Sequence, residues 1–360
     1  MWRRRGVLLA AFAMALPGCE SMSYMGQAAW GQAQLFAARQ PLERLLADPS
    51  TDSALRERLR TVNGLREFAR QSLGMENTRG FDSFVATGRD FVVWNVVASG
   101  EFSVTATSWC FPVAGCVNYR GYFERARAER FAAKMARRGF DTHVYGVTAY
   151  STLGWFADPV LDTWIDRDEP ALAALVFHEL AHQVLYASGD TEFSESFARV
   201  VEREGVRRWL AQEGDDTAYA QYLREQQTEA QFSALLAATR ERLELLYRQP
   251  LAAPLMRERK ASVLEDLRTE YARASASWPA PERFDAWMRA PLNNARLASL
   301  ANYQRWVGAF EQLLLEHQRD LSSFHAAARV LSELPAARRE ARLLVLEHAA
   351  TMTSDGNFTE

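Results

Sequence analysis

Apolar residues recur at helical spacing through residues 27–73, at Leu35, Leu42, Leu45, Leu46, Leu55, Leu59 and Leu65, with a break at Pro49-Ser50. This predicts a helical hairpin that packs on something larger. From Phe81 the pattern changes. Phe91-Val92-Val93-Trp94-Asn95-Val96-Val97 is β-branched and aromatic, Ser99-Gly100 reads as a turn, and residues 102–107 alternate, which predicts a β-hairpin. A helix is expected over residues 124–138, stopped at Gly139, and a further strand over 140–150. After the aromatic link at 151–156, Asp168-Glu169-Pro170 opens a helix expected to reach about Ala187, before Gly189. Asp190-Thr191 can then cap a second helix over residues 192–210.

Beyond that point the pattern is helical nearly to the end, interrupted near Pro250, Pro254, Pro279, Pro281, Pro291 and Pro335, with no internal repeat. Strands first and many helices afterwards predict an α+β fold with a small antiparallel or mixed sheet between large helical N- and C-terminal portions. The expected divisions are a leader at 1–18, a helical segment at 19–80, a mixed unit at 81–211, helices at 212–352 packing on it, and a frayed tail at 353–360.

The leader has its own logic. Arg3, Arg4 and Arg5 precede an apolar stretch from Gly6 to Ala15 that is too short to span a bilayer and reads as a signal peptide. It runs into Leu16-Pro17-Gly18-Cys19, which resembles a bacterial lipobox, so Cys19 is the expected site of acylation and of membrane attachment by lipid. Glu20, where an aspartate would retain the protein at the inner membrane, favours the outer membrane and a periplasm-facing location. In such an oxidising compartment the remaining cysteines, Cys110 and Cys116, are expected to form a disulfide across a loop containing Pro112 and Gly115. Across 360 residues the net charge is -3, which gives no hint of nucleic acid binding, for which a basic face is needed.

The chemistry lies in His178-Glu179-Leu180-Ala181-His182. On a helix, positions i and i+4 share a face, so both imidazoles can reach one ion, and the intervening glutamate can serve as general base to water there. A catalytic zinc takes three protein ligands and leaves one position open. Glu195, thirteen positions beyond His182 in the first turn of the next helix, is the expected third ligand. Glu202 competes for that role, or else holds a histidine Nδ1–H from behind, as Asp190 also could. Tyr150, Tyr186 and Tyr303 are candidate oxyanion donors, and Asn293 and Asn294 either line the pocket or cap a helix after Pro291.

His178 to His182 followed by Ser194-Glu195-Ser196-Phe197-Ala198 resembles the gluzincin pattern, with Ser194 in place of the usual asparagine and a shorter histidine-to-glutamate spacing than in the large aminopeptidases. Trp109-Cys110-Phe111-Pro112, Tyr119-Arg120-Gly121-Tyr122-Phe123, residues 150–156, Asp158-Pro159 and Pro291-Leu292-Asn293-Asn294-Ala295 extend the likeness. Together they resemble the putative bacterial aminopeptidase family of zincin-like envelope lipoproteins. That resemblance implies a zincin-like catalytic core at 81–211, one zinc ion, a peptide substrate and aminopeptidase action. An endopeptidase or cell-wall peptide hydrolase is the alternative among enzymes. The alternative of another class is a non-catalytic envelope interaction protein with a structural zinc site.

Overall fold

A computed structural model describes residues 19–111, 115–149, 157–300 and 305–356. The chain opens with α1 (Cys19–Ala37), β1 (Gln40–Pro41), α2 (Leu42–Ala47) and α3 (Ser53–Ser72). Asp52 caps α3 by accepting from the Leu55 amide at 3.0 Å, and the helix turns Leu59, Val62, Leu65, Phe68 and Ala69 inward. The break expected at Pro49-Ser50 falls between α2 and α3.

Next come β2 (Ser83–Val85), β3 (Val93–Gly100), β4 (Trp109–Phe111), β5 (Gly115–Val117) and β6 (Arg120–Tyr122), then α4 (Arg125–Arg137), β7 (Phe140–Val147) and β8 (Val160–Leu161). Two three-stranded sheets result. In one, β2 lies between antiparallel β1 and parallel β8; in the other, β3 lies between β6 and β7, all antiparallel. The described part is therefore α+β with small sheets, as the residue pattern predicts. Gly139, at φ +84°, makes the left-handed turn from α4 into β7, and α4 lays Phe131 and Met135 against the sheet.

The hairpin expected between β3 and residues 102–107 does not form. β7 takes one edge of β3 over eight residues, β6 takes the other only from Trp94 to Val96, and on the remainder of that edge the returning chain makes only one bridge, Ser99 to Ala106. The buried Ser99 hydroxyl sits 2.5 and 2.7 Å from the Ser103 and Thr105 carbonyls and holds this segment as a loop. Its Phe102 and Val104 join an apolar cluster with Tyr247 and Leu246. Cys110 and Cys116 face each other across the β4–β5 hairpin and are bonded.

Then follow α5 (Glu169–Val184) and α6 (Thr191–Glu213). Asp168 caps α5 through the Ala171 amide with Pro170 in the first turn, and Asp190 caps α6 through the Phe193 amide. Leu185 is already extended, so α5 stops three residues before the expected Ala187. Ser194 fixes the turn by accepting from the Ala187 amide at 3.0 Å. The two helices meet closely because residue 205 is glycine. A Cβ there would lie 2.6 Å from the Phe177 ring and 2.9 Å from a Leu73 methyl.

The rest is helical: α7 (Asp216–Tyr247), α8 (Ala253–Ser275), α9 (Asp285–Arg289), α10 (Asn294–Ala298), α11 (Val307–Glu316), α12 (Leu321–Glu333) and α13 (Ala336–Gly356). Phe310 and Phe324 stack around Phe193 and Phe197 of α6, so the last three helices share one core with α3 and α5. A second core, around Phe232, Leu267, Tyr271 and Trp278, is closed by α7 and α8. The effect is to clamp the α5–α6 pair from both ends of the chain.

Candidate metal centre

On α5, one turn brings His178 and His182 together with their rings nearly perpendicular (86°) and their Nε2 atoms 3.2 Å apart. From the first turn of α6, Glu195 places Oε2 at 3.3 Å from Nε2 of His178 and Oε1 at 3.6 Å from Nε2 of His182. Zinc bonds of about 2.0–2.1 Å in a tetrahedron put neighbouring donor atoms about 3.3 Å apart. The two imidazole nitrogens stand at close to that spacing, Glu195 turns one oxygen toward each, and one ligand atom from each residue lies within 4.8 Å of the others. The donor set fits a divalent cation with nitrogen and oxygen ligands.

Glu202, two turns beyond Glu195 on α6, takes the other side of the first histidine. Its Oε2 lies 3.0 Å from Nδ1 of His178, and it stands outside the His178–His182–Glu195 group that could hold an ion. Its Oε1 accepts from Arg199 at 2.9 Å and from the Tyr222 hydroxyl at 3.3 Å. Arg199 also donates to Glu229 on α7 at 2.8 Å. Burial would raise the Glu202 carboxyl, but Arg199 and His178 outweigh it and hold it down to about 2. For His178, burial favours the neutral ring, yet hydrogen bonds to Glu195 and Glu202 outweigh burial and hold it up to about 10. Burial dominates at His182 and pushes it down to about 4, the neutral form a ligand needs. Two carboxylates thus hold a positive charge between them, which suits the pocket to a cation.

Tyr186 lies past the end of α5 yet keeps its ring in edge contact with His182, centroids 5.9 Å apart, and burial followed by the Glu195 charge raises its hydroxyl. It is a neutral donor beside the cluster. Tyr150 and Tyr303 lie outside the described residues. Of the two alternatives for Asn293 and Asn294, pocket lining or capping a helix after Pro291, the structure shows capping at Asn293 and a scaffold role at Asn294. Asn293 accepts from the Arg296 amide to cap α10 and donates to the Thr142 carbonyl. Asn294 is wholly buried, with its side chain bonded to the hydroxyl of Tyr247 and the carbonyls of Gly100 and Glu101. Asp190 is likewise occupied, capping α6 and pairing with Arg339 at 2.9 Å.

Residue patterns missed Arg199, Tyr222 and Glu229. Arg199 falls at i+4 from Glu195 and i−3 from Glu202, a spacing that places all three on one face of α6 and could have been read. Glu229, on another helix, carries no such mark. A cavity of about 460 Å³ opens on this supporting side, walled by His178, Glu202, Tyr222 and Glu229 but not by His182 or Glu195. It lies behind the ligand face.

Fold and site together define an α+β protein whose central helix pair assembles a His–His–Glu group able to hold a metal ion. The chain belongs to the putative aminopeptidase family, whose model matches residues 23–343. No curated protein and no solved structure matches it.

Proposed function

We propose that this protein is a zinc-dependent peptidase with aminopeptidase action and a zincin-like core, held by lipid at Cys19 on the periplasmic side of a bacterial outer membrane. The observation that carries the reading is the convergence of His178, His182 and Glu195 with Glu179 on the same turn of α5. Zinc held by these three side chains would supply Lewis-acid polarisation of a scissile carbonyl and of water. The chain supplies proton transfer and orientation. Glu179 takes the proton of the attacking water and delivers it to the leaving amine. Glu202 fixes which nitrogen of His178 faces the pocket. Tyr186, whose ring lies against His182, would donate to the developing oxyanion. The exopeptidase preference follows the family, and the lipid anchor follows Leu16-Pro17-Gly18-Cys19.

A structural zinc site is the weaker reading, because such sites are usually closed by four protein ligands and need no adjacent carboxylate. The test is zinc content of the purified protein, followed by hydrolysis of amino-terminal reporter amides against amino-blocked peptides. Glu179→Gln should keep the metal and lose turnover. A Glu179→Gln protein that hydrolyses peptides as fast as the parent removes the proposed base.

A further inference from the structure

Helix α1 exposes large apolar side chains that a helix in water normally buries. Its inward face carries Leu35, which enters the main core, and polar anchors: Gln27 is 9% exposed, donates to the Gly121 carbonyl at 3.0 Å and accepts from the Phe123 amide at 3.2 Å. Tyr24 on the same face accepts from the Gly121 amide and lies under the Arg120 guanidinium. Gly31 lets the helix sit directly on the Phe123 ring. The outward face is apolar. Met22, Met25, Ala29, Trp30, Ala33 and Ala37 fall within one stripe, and the largest of them, Trp30 and Met22, are 68% and 60% exposed. From Ser21 to Ala38 there is no charged residue. A surface helix bordered by water normally carries polar or charged residues on such a face.

We infer that this stripe rests in the headgroup region of a lipid bilayer. The inference rests on lipid attachment at Cys19, because α1 begins at that residue. Met22 is three residues on, about 4.5 Å along the helix axis, and Trp30 about 16 Å, so an acylated Cys19 would start the stripe at the membrane surface. Trp at the interface and uncharged small residues between the anchors suit shallow burial of the helix along the plane. Among the described residues no helix is long and apolar enough to cross a membrane. The stripe would add a second contact to the lipid and set the molecule's orientation, with α1 flat on the bilayer.

The test uses the full chain, expressed in a Gram-negative host, purified from membranes and reconstituted in phosphatidylethanolamine–phosphatidylglycerol vesicles containing a brominated phospholipid. The mass of the amino-terminal peptide reports acylation separately. Tryptophan emission of the parent should be quenched by the brominated lipid, and Trp30→Phe should lose that quenched component. A Met25→Lys, Trp30→Asp double variant should stay acylated and vesicle-bound yet also lose it. Equal quenching of parent and Trp30→Phe in acylated protein overturns the membrane face while sparing the anchor. If Cys19 carries no lipid, the anchor reading fails, and the face is then judged by co-sedimentation with the same vesicles. Trp30-dependent sedimentation supports it, and absence of sedimentation overturns it. A dimer that dissociates on Trp30→Asp assigns the stripe to a second copy and also overturns it.

Discussion

Oε2 of Glu202 lies 3.0 Å from Nδ1 of His178, on the far side of the ring from the nitrogen that faces Glu195. This contact holds Nδ1–H toward Glu202 and sets the ring's tilt, so that Nε2 is the nitrogen that would give up its proton to an ion, because the carboxylate can only accept. Glu202→Gln keeps the size but sets an amide NH2 or a weaker acceptor against the ring and against Arg199. The expected loss is about 10- to 100-fold in zinc affinity with little change in fold. Competition against a chromophoric chelator measures it; parental affinity would mean the contact orients nothing.

Arg199 is the buried centre of that support. Its guanidinium joins Glu202 to Glu229, linking α6 to α7, and Tyr222 shares the Glu202 oxygen. Arg199→Met leaves two carboxylates without their cation in a largely buried place. Removing one partner of a buried pair costs about 3–5 kcal/mol. Glu229→Gln, with its side chain 24% exposed, should cost clearly less. Urea unfolding of the zinc-free proteins ranks the two, and equal midpoints would show that Arg199 is not central.

The metal group was legible because its parts are local. His178 and His182 share a turn, and Glu195 follows a capped turn at Asp190 that folds α6 back on α5. The helices on either side were legible from their caps and prolines, and Cys110–Cys116 from the shortness of its loop. What escaped was non-local. The partner of β3 is decided by which strands claim its edges, and β7 claims one of them along its whole length. For Asn293 and Asn294 the residues leave pocket lining and capping both open, and only the docking of α10 on β3 and β7 decides between them. For α1 the sequence shows a helix without charge, but it does not say that Met22, Met25 and Trp30 stay exposed.

Gly205 is the point where α6 approaches α5 and α3 most tightly, with the Phe177 ring and Leu73 where a Cβ would go. Both neighbours are fully buried, so they have little room to give way. Gly205→Ala gains helix propensity of about 1 kcal/mol but overpacks the core, which typically costs about 1–3 kcal/mol. The clash should win, with a net loss of stability and a secondary loss of zinc affinity as α6 shifts Glu195. A thermal midpoint at or above the parent's would show that the core yields freely at this place.

His325 provides the acid-sensitivity prediction. It is 6% exposed on α12, its ring against Phe197 and Phe324, and burial, opposed by a hydrogen bond at Gly74, pushes it down to about 4. Unfolded, it returns to about 6.5. Between those values the unfolded chain binds more protons, so stability rises with pH there and falls as the pH is lowered. The contribution is complete above about pH 6.5 and is lost progressively as pH falls toward 4, amounting to about 2 kcal/mol by pH 5. His143, also pushed down to about 4, first by burial and then by Arg296, shares the window, so the parent's total slope belongs to several groups. The difference between parent and His325→Leu isolates this one. Urea midpoints at pH 7 and pH 5 should drop more in the parent than in His325→Leu. Identical drops would mean the ring keeps its solvent-like affinity for a proton despite the two phenyl rings against it.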